Sequence, residues 1–110
     1  MSLDLPKIIG RYFGAQNAHD IDAIVACFAS DAHVRDEGHA YIGSNAIRAW
    51  KKETSAKYRV TVEPVECGIE GKTTVVVARV SGAFDGSPVN LTYRFGLSVD
   101  GQIDALEIRL

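Results

Sequence analysis

The chain of 110 residues lacks any apolar run approaching the ~20 residues that a bilayer span needs, so no membrane helix is expected. It lacks a strong charge of either sign: twelve Lys and Arg stand against fourteen Asp and Glu, a formal net charge of -2. That balance gives no electrostatic footprint for nucleic acid. Cysteine is scarce. Cys27 and Cys67 lie far apart and form no metal or redox motif. Two such thiols in a cored domain suit a reducing cytoplasm, with a single disulfide left open. The opening residues Met1 to Pro6 contain neither a basic nor an apolar segment, so no secretory signal is expected. His19, His33 and His39 are not spaced as a metal triad and are read as solvated. The P-loop, the Rossmann glycine fingerprint and the Gly-x-Ser-x-Gly elbow are all missing. Neither a metal nor an organic cofactor is therefore expected. No repeat, low-complexity tract or linker interrupts the chain, and residues 1–110 read as one domain.

The periodicity of the remaining residues is informative. Leu5, Ile8, Ile9, Tyr12 and Phe13 form the stripe of an amphipathic helix, with Asp4 as its expected cap. Gly10 and Gly14 weaken that helix and leave room for a close neighbour. Asp20 is placed to cap a second helix whose stripe is Ile21, Ile24, Val25 and Phe28. A strand from Ala32 to Glu37 puts Ala32, Val34 and Asp36 on one face and His33, Arg35 and Glu37 on the other. Ser44 is read as the cap of a third helix that carries Ala46, Ile47, Ala49 and Trp50. Arg48, Lys51, Lys52 and Glu53 are assigned to its solvent face. From Tyr58 the period changes to that of strands: 59–63, 73–83, 89–99 and 102–110, with turns at Glu70-Gly71-Lys72, Asp85-Gly86 and Asp100-Gly101. Helices first and a meander after them argue for an α+β fold, three N-terminal helices lying on one face of a bent antiparallel sheet. Strand 73–83 is apolar on both faces, Val75 and Val77 on one, Val76, Ala78 and Val80 on the other. The helices cover one side. A second copy of the chain is the economical cover for the other and points to a homodimer; loops or the sheet's own bent tail are the alternative. Arg79, Arg94, Glu107 and Arg109 are candidates for a polar network on that outer face.

Asp36 is the sharpest chemical signal. A carboxylate sharing a face with Val34 has its charged form destabilised, which moves it toward the range of a general base. A one-residue error of register would instead leave it solvated. Tyr12, on a buried stripe, offers a hydroxyl for a ligand oxygen or, as is commoner, for a backbone carbonyl. Phe13, Phe28, Trp50, Tyr93 and Phe95 pack at helical or strand spacing. Where they line a pocket, they favour a flat apolar or aromatic small molecule.

The stretch Arg11-Tyr12-Phe13, Asp20 to Val25, and Phe28 to Asp36 resembles the bacterial ketosteroid isomerases. These belong to the nuclear-transport-factor-2-like superfamily together with the SnoaL-like polyketide cyclases. Tyr41-Ile42-Gly43, Ala46-Ile47 and Trp50 also resemble that family's loop and third helix. The resemblance implies a cone-shaped, cystatin-like barrel with a deep pocket, and a homodimer formed through the sheet. It further implies Asp36 as catalytic base and Tyr12 as oxyanion donor. Tyr93 stands where the family carries a second oxyanion-hole acid, a departure that puts steroid isomerisation in doubt. Three functions compete on this reading. The first is an isomerase, cyclase or dehydratase acting on an enolisable carbonyl compound. The second is a non-catalytic binder or docking module, and the third is a dimer whose cone Tyr93, Trp50 and Phe95 have filled.

Overall fold

The computed structural model describes residues 4–110, so Met1 to Leu3, read above for a leader, lie outside the described residues. The elements run α1 (Lys7–Asn17), α2 (Ile21–Ala26), β1 (Phe28–Asp36), β2 (His39–Ile42), α3 (Ser44–Tyr58), β3 (Thr61–Glu70), β4 (Thr73–Ser81), β5 (Val89–Leu97) and β6 (Ile103–Arg109). The six strands form one sheet in the order β2-β1-β6-β5-β4-β3. Its edges, β2 and β3, do not pair, so the sheet is curved and unclosed. Irregularities at Phe28/His33, Pro64/Glu66 and Gly96/Leu97 supply bulges, the usual means of bending a strand. The meander β3 to β6 is antiparallel as expected, but β6 lies parallel to β1. Among the described residues no helix is long and apolar enough to cross a membrane.

The helices bury the faces their spacing dictates. In α1, Ile9, Tyr12, Phe13 and Gln16 are buried at i, i+3, i+4 and i+7. The Asp20 carboxylate accepts from the Ala23 amide at 3.1 Å and caps α2 as read from the sequence. Two other caps are corrected. Pro6 and Gly43 occupy the N-cap positions of α1 and α3, and neither Asp4 nor Ser44 supplies a capping bond. Phe28 belongs to β1 rather than to the α2 stripe, because its backbone registers with Ile103 of β6 and commits the segment to the sheet. Arg59 is not a strand residue either. It caps the C-terminus of α3 in the left-handed conformation, at φ 49°.

The core fills the space between helices and sheet. Tyr12 meets Phe13, Phe28 and Phe95 edge-on at centroid distances of 5.3, 5.7 and 5.7 Å. On β4, Thr74, Val76, Ala78 and Val80 are buried against this layer, while Val75 and Val77 on the outer face are half-buried. The outer-face charges make two separate pairs, Arg94 with Glu70 at 3.3 Å and Arg109 with Glu107 at 3.8 Å.

Two long-range ties hold helices to the meander. Asn17 Nδ2 donates to the Val62 carbonyl at 2.8 Å, and the Val62 amide donates to Asn17 Oδ1 at 2.7 Å. The Ala83 amide donates to the Tyr58 carbonyl at 2.8 Å. There Gly82 passes so close that a Cβ would stand 2.7 Å from that carbonyl oxygen. Asn17→Ala removes both bonds of the first tie and is expected to cost about 2 kcal/mol of unfolding free energy. Urea denaturation measures it, and an unchanged midpoint would show the tie to be dispensable.

Candidate active site

A cavity of about 610 Å³ opens between α3 and the sheet. Its wall takes Gln16 from α1, Asp36 from β1, Trp50, Lys51, Thr54 and Tyr58 from α3, and Val62, Val80, Leu91, Tyr93 and Ile108 from the inner sheet face. Phe84, Asp85 and Gly86 of the segment after β4 add to it, as do Glu37 after β1 and Arg109 of β6. The α3 contribution follows from helical spacing. Ile47, Trp50, Lys51, Thr54 and Tyr58 recur at i, i+3, i+4, i+7 and i+11, so they share one inward face.

That spacing overturns the assignment of Lys51 to solvent. The side chain is buried at 5% exposure and lines the cavity. Nζ donates to the Tyr12 hydroxyl at 2.7 Å and to Gln16 Oε1 at 2.6 Å, and it lies 4.0 Å from the Trp50 ring centroid. Burial lowers its pKa to about 7, with Asp36 pulling the other way. The signal was present in the sequence, since Lys51 lies four residues after Ile47 and Gln16 four after Tyr12.

Asp36 ends β1 on the inward face its alternation predicts, and it is half-buried in the cavity wall. Trp50 Nε1 donates to Asp36 Oδ2 at 3.1 Å, while Oδ1 has no side-chain donor among the described residues. Burial raises the Asp36 pKa above the ordinary carboxylate value. The Trp50 bond opposes this, Glu37 adds to it, and Lys51 and His39 oppose it again. Trp50 is itself held by stacking on Tyr41 at 5.5 Å. Trp50→Phe deletes the bond that stabilises the charged carboxylate, so the Asp36 pKa is expected to rise further. Carboxyl-carbon NMR titration reads it, and a fall would contradict the geometry.

The other candidates divide into two layers. Tyr93 lines the cavity; burial, and Asp36 after it, raise its hydroxyl well above the ordinary phenol value. Tyr12 does not line the cavity. It sits one hydrogen bond behind Lys51, and burial foremost keeps it protonated. Phe13, Phe28 and Phe95 are likewise behind the wall, in the aromatic layer that backs it. Of the five residues expected to touch a ligand, Trp50 and Tyr93 reach the cavity.

Three helices on a curved, unclosed sheet, with a cavity between them, are the fold shared with solved proteins of nuclear-transport-factor-2-like and ketosteroid isomerase-like fold. A model of the SnoaL-like domain matches residues 9–105, and the chain belongs to that family. A candidate polyketide cyclase from Sinorhizobium meliloti is 43% identical, with a TM-score of 0.93 over 99% of each chain. The epoxide hydrolase/cyclase-like enzyme SalBIII, of pyran ring formation in the polyether salinomycin, is 26% identical. It aligns with a TM-score of 0.81 over 94% of this chain and 87% of its own. A protein of ketosteroid isomerase-like fold from Catenulispora acidiphila shares 20% identity and a TM-score of 0.83 over 96% and 85%. Among curated proteins no sequence matches.

Proposed function

We infer that the chain is a small-molecule enzyme of cyclase or isomerase type that uses Asp36 as a general base on an enolisable carbonyl compound. The observation that carries this reading is a half-desolvated carboxylate in the wall of an apolar cavity, one oxygen anchored by Trp50 and the other free. Such a carboxylate is a stronger base than one in water and is already oriented. Lys51 lines the same cavity, and Tyr12, one hydrogen bond behind the wall, holds its Nζ in place. Tyr12 acts through Lys51 and is a positioning residue on this geometry. The names of the two relatives above 25% identity, a candidate polyketide cyclase and a cyclase-like enzyme of pyran ring formation, support a ligand with carbonyl or oxygen nucleophile groups along an apolar skeleton.

The test is deuterium exchange in heavy water. Planar ketones such as β-tetralone are incubated with the protein, and label at the carbon next to the carbonyl is followed by NMR. Exchange above the buffer rate that disappears with Asp36→Asn supports the reading. Exchange that is absent, or indifferent to Asp36, overturns it.

A further inference from the structure

Lys51 differs in kind from the other lysines. Lys7, Lys52, Lys57 and Lys72 are exposed, whereas Lys51 is buried and forms part of the cavity wall. It makes no ion pair among the described residues, and both of its hydrogen-bond acceptors are neutral groups. A buried ammonium without a carboxylate partner is costly. The Trp50 ring face attracts the ammonium, but the hydrogen-bonding groups also suit the neutral amine. Its two N–H bonds match the two acceptors, the Gln16 amide oxygen and the Tyr12 hydroxyl oxygen. Beyond these two contacts Nζ has no other hydrogen-bond partner among the described residues, and Lys51 forms part of the cavity wall.

We propose that Lys51 Nζ is a nucleophile that captures an aldehyde or ketone in the cavity as an imine, so that Asp36 removes a proton from the carbon next to an iminium rather than next to a free carbonyl. This deepens the general-base reading and rests on it for the second step only. The lone pair forms a bond to the carbonyl carbon, and the carbonyl π pair moves to oxygen. A proton passes from nitrogen to that oxygen. The hydroxyl leaves as water with one further proton, and the carbon–nitrogen double bond forms. Counted from the ammonium, one carbonyl compound enters, one water leaves, and the positive charge remains on nitrogen. Asp36 then takes the neighbouring carbon-bound proton, that electron pair becomes the enamine double bond, and the iminium π pair returns to nitrogen. Reprotonation at carbon gives isomerisation, and attack of the enamine on a second carbonyl of the same ligand gives ring closure. Water then releases the product and restores the amine. The lowered basicity of Lys51 supplies unprotonated nucleophile near neutral pH. The titratable and charged groups around it are Asp36 of β1, Glu37 just after it, Tyr12 of α1, Tyr93 of β5, Arg109 of β6 and Asp85 of the cavity rim, of which Asp36 raises its pKa against the effect of burial.

The test is reductive trapping on the full chain. The protein is incubated with β-tetralone and sodium cyanoborohydride, and in parallel with benzoylacetone, which forms a coloured vinylogous amide with reactive amines. The expected result is one adduct per chain, mapped to Lys51 in preference to Lys7, Lys52, Lys57 and Lys72. Lys51→Arg, which keeps a cation, and Lys51→Met, which keeps the length, both lose it. No adduct, or one spread over the surface lysines, overturns the proposal. Asp36→Asn separates the two claims. Trapping that persists in this variant while exchange is lost supports both. Exchange that depends on Asp36 with no trapping in the wild type overturns the imine and leaves the base.

Discussion

On the general-base reading, Asp36→Asn is expected to slow exchange of the proton next to the carbonyl of a bound ketone by about 10²–10⁴-fold, the usual contribution of a positioned general base. The substitution is close to isosteric. The amide oxygen of Asn still accepts from Trp50 Nε1, so the side chain keeps its place while losing basicity. Removing a half-buried charge also removes its desolvation cost, so the melting temperature is expected to hold or rise. Lost exchange with retained stability is the pattern of a functional carboxylate; lost exchange with a lower melting temperature would mark a structural one. Activity should also rise with pH through the raised Asp36 pKa, since the charged form is the base.

Stability should climb between pH 7 and pH 8.5, and Lys51 is the cause. Its pKa falls from 10.5 in the unfolded chain to about 7 in the folded one. Between those values the unfolded state binds the extra proton, so the unfolding free energy rises with pH. The gain from pH 7 to 8.5 is roughly 1.5–2 kcal/mol for this one group. Groups with raised values oppose the trend at higher pH, Tyr41 and Lys57 near the surface among them. Cys27, Tyr12 and Tyr93 all have raised values, keep their protons longer in the folded state, and lower stability as pH climbs beyond their ordinary range. Asp36 acts in the acid range, where its raised pKa makes stability fall as pH rises through the window above 3.8. Urea denaturation at pH 7 and 8.5 measures the rise, and Lys51→Met should flatten it. A wild type indifferent to pH in this interval would show that Lys51 is solvated.

Local rules made much of this legible. The i, i+3, i+4 stripe of α1, the Asp20 cap and the inward parity of Asp36 are properties of a few neighbouring residues, and the structure bears them out. The turn at Asp100-Gly101 was legible for the same reason, with Gly101 at φ 80°. Contacts between segments far apart in sequence were not. The early start of β1 is set by Ile103, 75 residues away by number, and so is its parallel pairing with β6. Lys51 was misassigned because a charged residue beside Lys52 and Glu53 reads as solvent-facing. Its burial depends on Tyr12 and Gln16 of another helix arriving with two oxygens. The same limit separates Trp50 and Tyr93 from Phe13, Phe28 and Phe95. All five are apolar and periodic, and depth relative to a cavity is a global property.

The tie between Tyr58 and Ala83 divides responsibilities along the chain. The titratable wall groups Asp36 and Lys51 come from the first half of the sequence, while Phe84, Asp85 and Gly86 bring the rim from a connection near residue 85. A surface connection tolerates changes of length and composition better than the strands and helices it joins. Descendants of this fold can therefore exchange one ligand for another by rewriting the rim while the chemistry beneath is inherited intact. For the engineer, Asp85 is the position to vary, while Gly86, at φ 87°, and Gly82, where a Cβ would meet the Tyr58 carbonyl, are the ones to leave alone.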